Sequence, residues 1–171
     1  MGVGKTTIGK ELAREIGWQH ADLDNLIESD QRISIRELFE KKGESGFRII
    51  ERETLKRLGE ENMVVSVGGG APCDDQGRLW MLSRGLCVWL HADLAFIARR
   101  LKQGPNSRPL LSGARSEEDI LNKLEVIYNE RKSLYREAHI VVSSNDWNVR
   151  NFVGELRSLF KDNSRLLTHN E

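Results

Sequence analysis

The run Gly2-Val3-Gly4-Lys5-Thr6-Thr7 opens the segment Lys5–Ile16, whose apolar residues Ile8, Leu12 and Ile16 recur at a helical spacing. Glycines let successive backbone N–H groups curl around an anion, and the positive end of a following helix adds to the attraction. In such a cradle Lys5 reaches the β- and γ-phosphates of a bound nucleotide, and the Thr6 hydroxyl ligates Mg²⁺. The alternative is a glycine-rich turn ahead of a surface helix. The full pattern G-x-x-x-x-G-K-[ST] requires a further glycine before Met1, and a buried strand before that. The expectation is therefore that this sequence starts at an internal methionine.

Five further groups of residues carry possible chemistry. Asp22-Leu23-Asp24 closes the run His20–Leu23, read here as a strand, so that alternation places both carboxylates on one side. Asp22 would then face the Mg²⁺ shell, while Asp24 either serves the reaction or caps the following helix. Gly46-Phe47-Arg48 precedes Glu51 by one helical turn, which suits either a guanidinium held in place by a carboxylate or a surface ion pair. Gly68-Gly69-Gly70 follows the strand-like run Met63–Val67 and permits close approach of backbone N–H groups to a ligand, or simply makes a tight turn. Arg108 leads the run Arg108-Pro109-Leu110-Leu111 within a long segment, about 104–118, with Gly104, Pro105 and Gly113 as hinges. Glu130-Arg131 and Leu134-Tyr135 follow.

In this order, the motifs GKTT, DLD, GFR, GGG, RPLL and ER..LY resemble those of shikimate kinases, over a stretch from the first residues to about Tyr135. The resemblance implies a P-loop kinase, an α/β three-layer sandwich around a parallel sheet. It also implies five strands, the first of which is expected to be missing from this sequence. It implies ATP and Mg²⁺ as nucleotide and metal, and transfer of the γ-phosphate to the 3-hydroxyl of shikimate. By the same resemblance Asp24 holds a substrate hydroxyl and accepts its proton, and Arg48 and Arg131 bind the shikimate carboxylate. Gly68, Gly69 and Gly70 line the acceptor, and Arg108 closes over the transferring phosphoryl group, where positive charge stabilises the transition state. Arg100 corresponds to an arginine that stacks near adenine, with Arg99 as an alternative. Two other readings stay open at this stage: a kinase for another small hydroxy acid such as gluconate, and a non-catalytic nucleotide-binding relative.

These groups need elements to hold them. Helices are expected at Lys5–Ile16, Ser34–Lys42, Ser45–Leu58 (with Ser45 as cap), Gln76–Ser83, Leu94–Lys102, Glu117–Tyr135 and Val149–Phe160. Between them Met63–Val67, Leu86–Leu90 and Ile140–Val142 read as strands buried on both faces. Such alternation implies a parallel sheet covered by helices. The expected organisation is one domain over 1–171, with a substrate-binding segment at about 24–53, a lid at about 104–118 and a frayed tail at 161–171.

The 171-residue chain carries 26 Lys plus Arg against 26 Asp plus Glu, a net charge of zero that argues against a protein held on nucleic acid by bulk charge. At 39% hydrophobic and 30% charged residues it has the profile of an ordinary globular protein. No apolar run approaches the roughly 18 residues of a membrane span, and no leader segment is recognised, so a cytoplasmic monomer acting on small molecules is expected. Cys73 and Cys87 form no metal or disulfide pattern and read as buried thiols. His20, His91, His139 and His169 lack ligand spacing, and Trp18, Trp80 and Trp89 read as packing residues. Trp147 lies in a polar segment that could border the adenine pocket.

Overall fold

A computed structural model describes residues 2–58, 62–103, 111, 113, 114, 116–143, 150, 151, 153, 154, 156 and 158. The helix α1 (Lys5–Ile16) ends at Gly17, which adopts the left-handed conformation (φ 75°) that closes a helix. It leads into β1 (Gln19–Asp22), α2 (Leu23–Gln31) and α3 (Ile35–Arg57). Then follow β2 (Met63–Ser66), a 3₁₀ turn at Ala71–Cys73, α4 (Asp75–Arg84), β3 (Val88–His91), α5 (Leu94–Gln103), α6 (Glu117–Tyr135) and β4 (Ile140–Ser143). Helical backbone recurs at 150, 151, 153, 154, 156 and 158. Among the described residues, no helix is long and apolar enough to cross a membrane.

Among the described residues, all strand pairing is parallel. Asp22 of β1 stands opposite Ser66 of β2, and His91 of β3 opposite Ser143 of β4. Among the described residues these form two separate two-stranded ladders, β1–β2 and β3–β4. The expected burial of the strands on both faces is corrected accordingly. Most of their residues are half-buried, because each strand has a paired neighbour on one side only. Helix α1 bridges the two ladders. It packs on β1 and β2, while Ile8 joins Val142 of β4 and Leu156 in one buried cluster.

Two other apolar clusters hold the helices. Leu23 and Ile27 of α2 and Leu38, Phe47 and Leu55 of α3 are almost wholly buried, each contributing about 1.5–3 kcal/mol by leaving water. Val3, Ile97, Ala98, Leu101, Ile120 and Leu124 bring the chain start, α5 and α6 together.

Helix α3 begins with a capping box, in which Ser34 and Glu37 satisfy each other's backbone N–H groups. Within α3 the two helices expected here are present, parted by a break at Gly43, whose φ of 67° and ψ of −179° are non-helical. Ser45 is therefore not a cap; the break falls earlier, where glycine tolerates positive φ. Phe39 and Phe47 stack across the break with centroids 4.6 Å apart. The cysteines, expected to be buried, are half-buried.

Candidate active site

The chain start and α1 form one end of the site. Gly2 (φ 73°) and Gly4 (φ 90°) both lie in the left-handed region, so the backbone turns sharply just before Lys5 begins the helix. Val3 is buried between them, anchoring the turn, and Thr7 is exposed in the first helical turn. The Ser66 hydroxyl donates to the Lys5 carbonyl at 3.2 Å and lies 3.0 Å from His20 Nε2, fastening β1 and β2 to this turn. Burial lowers the His20 pKa against the opposing pull of Asp22, favouring a neutral ring in a structural role.

The Thr6 hydroxyl donates to Asp22 Oδ2 at 2.6 Å, so the two residues expected to share a metal are in direct contact. The other Asp22 oxygen accepts from the backbone N–H groups of Asp24 and Asn25, capping α2. This corrects the expected strand geometry. The chain turns helical at Leu23, so Asp22 is the cap and Asp24 sits in the first helical turn, reached by helix curvature instead of strand alternation.

Of the two candidate arginines after β3, Arg100 faces the glycine turn. A Cβ built on Gly4 would stand 3.7 Å from Arg100 Nη1. Arg99 points instead toward Glu117, 3.9 Å away. Arg108, with Gly104 and Pro105, lies outside the described residues, as do Trp147, His169 and the tail at 161–171. At the far end of the expected lid Ser116 caps α6, so Glu117 and Glu118 are already helical.

The other end of the site gathers around Gly68–Gly70. Arg48 donates through Nη1 to Glu51 at 2.6 Å and through Nη2 to Glu44 at 2.9 Å. Glu51 is buried, with 4% of its side chain exposed, so the i,i+3 pair is an interior one and not a surface bridge. Burial works against the charge on Arg48, yet Glu51 and Glu44 outweigh it and the guanidinium holds its proton more tightly than usual. For Glu51, burial wins over the pull of Arg48 and raises the carboxyl pKa. Arg48 Nε and Glu51 Oε1 are buried without a hydrogen-bond partner.

The glycines make room for these side chains. A Cβ on Gly70 would fall 2.1 Å from Arg48 Nη2, and one on Gly68 would fall 3.2 Å from Glu51 Oε1 and 3.4 Å from Asp24 Oδ1. Gly69 contributes its carbonyl, which accepts from the Tyr135 hydroxyl at 2.5 Å and more distantly from Arg131 Nη1 at 3.4 Å. Two guanidinium groups and two carboxylates thus converge on three consecutive residues. Asp24 is exposed as a residue, yet partial burial of its carboxyl raises its pKa, and the charges of Asp22 and Glu28 add to the effect. Lys5 and Arg48 pull the other way, which also places Lys5 within electrostatic reach of Asp24.

Several contributors carried no assigned role in the sequence. Tyr135 belonged to the ER..LY motif, but only the fold brings its hydroxyl to Gly69. Arg52 donates to both oxygens of Asp74, at 2.9 and 3.1 Å. Asp74 in turn caps α4 through the Gly77 N–H, a role its position ahead of a helix could have suggested. Arg78 of α4 holds the Pro72 carbonyl and Glu137, just beyond α6, each at 2.8 Å, so α4 fastens the turn that follows the glycines to the chain leaving α6.

Likeness to known proteins agrees with this geometry. The family profile for shikimate kinase matches residues 1–160. A shikimate kinase of Persephonella marina is 36% identical over 157 residues, covering 91% of this chain and 92% of its own. The shikimate kinase structure from Bacteroides thetaiotaomicron has a TM-score of 0.87 at 32% identity, covering 94% of each chain. That of Acinetobacter baumannii, in complex with shikimate, has a TM-score of 0.87 at 33% identity, covering 95% of this chain and 89% of that one. With a glycine turn ahead of α1 at one end and arginine–carboxylate pairs around Gly68–Gly70 at the other, the chain belongs to the shikimate kinase family of ATP-dependent kinases.

Proposed function

We propose that the chain transfers the γ-phosphoryl group of ATP to the 3-hydroxyl of shikimate, giving shikimate 3-phosphate and ADP. The observation that carries this reading is the convergence of Asp24, Arg48, Glu51 and Arg131 on Gly68–Gly70, with Lys5 close to Asp24. A hydroxylated carboxylic acid needs cationic forks at one end and hydrogen-bond acceptors at the other. Arg48 and Arg131 are the forks for the carboxylate, while Asp24 and the unpaired Glu51 Oε1 are acceptors for hydroxyls.

Residues Gly2 to Thr7 cradle the phosphates, Lys5 neutralises the β- and γ-oxygens, and Arg100 flanks the nucleotide. Thr6 and Asp22 present two hard oxygen donors within 2.6 Å of each other, a set that suits Mg²⁺ completed by phosphate and water. When bound there, the ion would offset charge on the transferring phosphate oxygens. Asp24 accepts the proton of the attacking hydroxyl as the new P–O bond forms and the bond to the ADP oxygen breaks. Its pKa, raised by burial and by the neighbouring charge of Asp22, makes it a stronger proton acceptor than an unperturbed carboxylate. By the same reading Arg108, outside the described residues, contributes positive charge to the transferring phosphoryl group.

Calorimetric titration tests the division of labour. Arg48→Ala is expected to weaken shikimate binding by roughly 10- to 100-fold, the worth of a charge-assisted pair, with ATP affinity within about twofold of wild type. Equal loss of both ligands would contradict it.

A further inference from the structure

The guanidinium of Arg48, on a side chain 13% exposed, already holds an anion. Glu44 Oε1 accepts from Nη2 at 2.9 Å, but the neighbouring Nε, on the same side-on edge of the fork, has no partner. A carboxylate that used this edge fully would accept from both nitrogens. Glu44 therefore makes half of the interaction the edge can offer. Glu51 sits elsewhere on the fork, at Nη1, and is not in the way.

The two carboxylates on Arg48 differ in mobility. Glu51 is 4% exposed and set in the middle of α3, whereas Glu44 is 56% exposed. Glu44 also directly follows the break at Gly43, so it can swing into solvent without disturbing a regular helical turn upstream. Removing it without replacement would leave a buried cation short of a partner, which is costly. Exchange for an incoming carboxylate that also satisfies Nε is favourable.

We propose that Glu44 is a specificity-determining residue: its side chain occupies the acceptor-carboxylate position at Arg48 and yields only to a molecule that brings its own anion. This rests on the reading of Arg48 as the carboxylate-binding residue. Neutral polyols cannot displace Glu44, because they cannot replace its charge. Shikimate does so at a cost, since apparent affinity falls in proportion to the fraction of molecules whose fork is open.

The test is calorimetric titration of the nucleotide-free protein with shikimate, for wild type, Glu44→Gln, Glu44→Ala and Glu40→Gln. Glu40 is an exposed control across the Gly43 break, paired with Arg36. Both Glu44 variants are expected to bind shikimate roughly three- to tenfold more tightly, corresponding to an open fraction of about 10–30% in wild type. Glu40→Gln should match wild type. Unchanged or weakened shikimate binding in the Glu44 variants, or equal tightening in Glu40→Gln, would overturn the proposal. The Arg48→Ala protein separates the two levels. If it binds shikimate as tightly as wild type, the assignment of Arg48 itself fails, and the role of Glu44 with it.

Discussion

The hydroxyl of Tyr135, at the last position of α6, donates to the carbonyl of Gly69 at 2.5 Å. This bond ties α6, the helix that carries Arg131, to the glycine turn, although Tyr135 and Gly69 are 66 positions apart in sequence. Tyr135→Phe leaves the Gly69 carbonyl only the distant Arg131 contact. The expected stability loss is about 1 kcal/mol, from one buried hydrogen bond. KM for shikimate should rise about fivefold with KM for ATP unchanged, measured by steady-state kinetics beside a thermal melt. A melt shifted with both KM values unmoved would make Tyr135 a stability residue only.

Gly70 tests whether the glycines serve space or flexibility. Its φ of −96° is open to any residue, so alanine meets no backbone penalty. The added Cβ would nevertheless fall on the Arg48 guanidinium, which is the movable end of a long side chain. Gly70→Ala should therefore keep its Tm within a few degrees while losing at least about tenfold in shikimate affinity. ATP affinity should hold. Retained shikimate affinity would show that the turn, and not the open space, is what the glycine provides.

Asp24 links activity and stability with opposite signs. Its folded pKa is raised, so ionisation disfavours the fold. The contribution from the protonated form is complete below the unfolded value of 3.8 and is lost as pH rises through the folded pKa. Asp24→Asn is accordingly expected to abolish turnover and to melt at a higher temperature than wild type at neutral pH. The gap should close below about pH 4. A lower Tm at neutral pH would contradict the raised pKa.

Asp22 carries two duties through its two oxygens, a helix cap and the contact with Thr6. Asparagine keeps the cap but loses the negative charge. Asp22→Asn should fold normally, while the Mg²⁺ concentration for half-maximal rate rises by roughly tenfold. An unchanged Mg²⁺ requirement would remove Asp22 from the metal site.

Local signals were legible where one segment decides its own structure. Helices α1 and α6 span the residues their patterns mark, with Gly17 as the stop of one and Ser116 as the cap of the other. At DLD the motif was visible but its geometry was not, because an aspartate that ends a strand can equally cap a helix, and Asp22 does both. In α3 the serine at 45 looked like a start, yet the positive φ of Gly43 set the break. The glycine triplet pointed to a close approach without saying to what. Arg48, Asp24 and Tyr135 reach it from three separate elements, and such meetings depend on packing across the fold.

The most direct measurement is ADP release from Mg·ATP by the folded chain, with shikimate, with gluconate and with no acceptor, circular dichroism confirming the fold. The account predicts release that depends on shikimate, with gluconate no better than the background. Release from a folded protein at the same rate with and without shikimate, or a preference for gluconate, would contradict it.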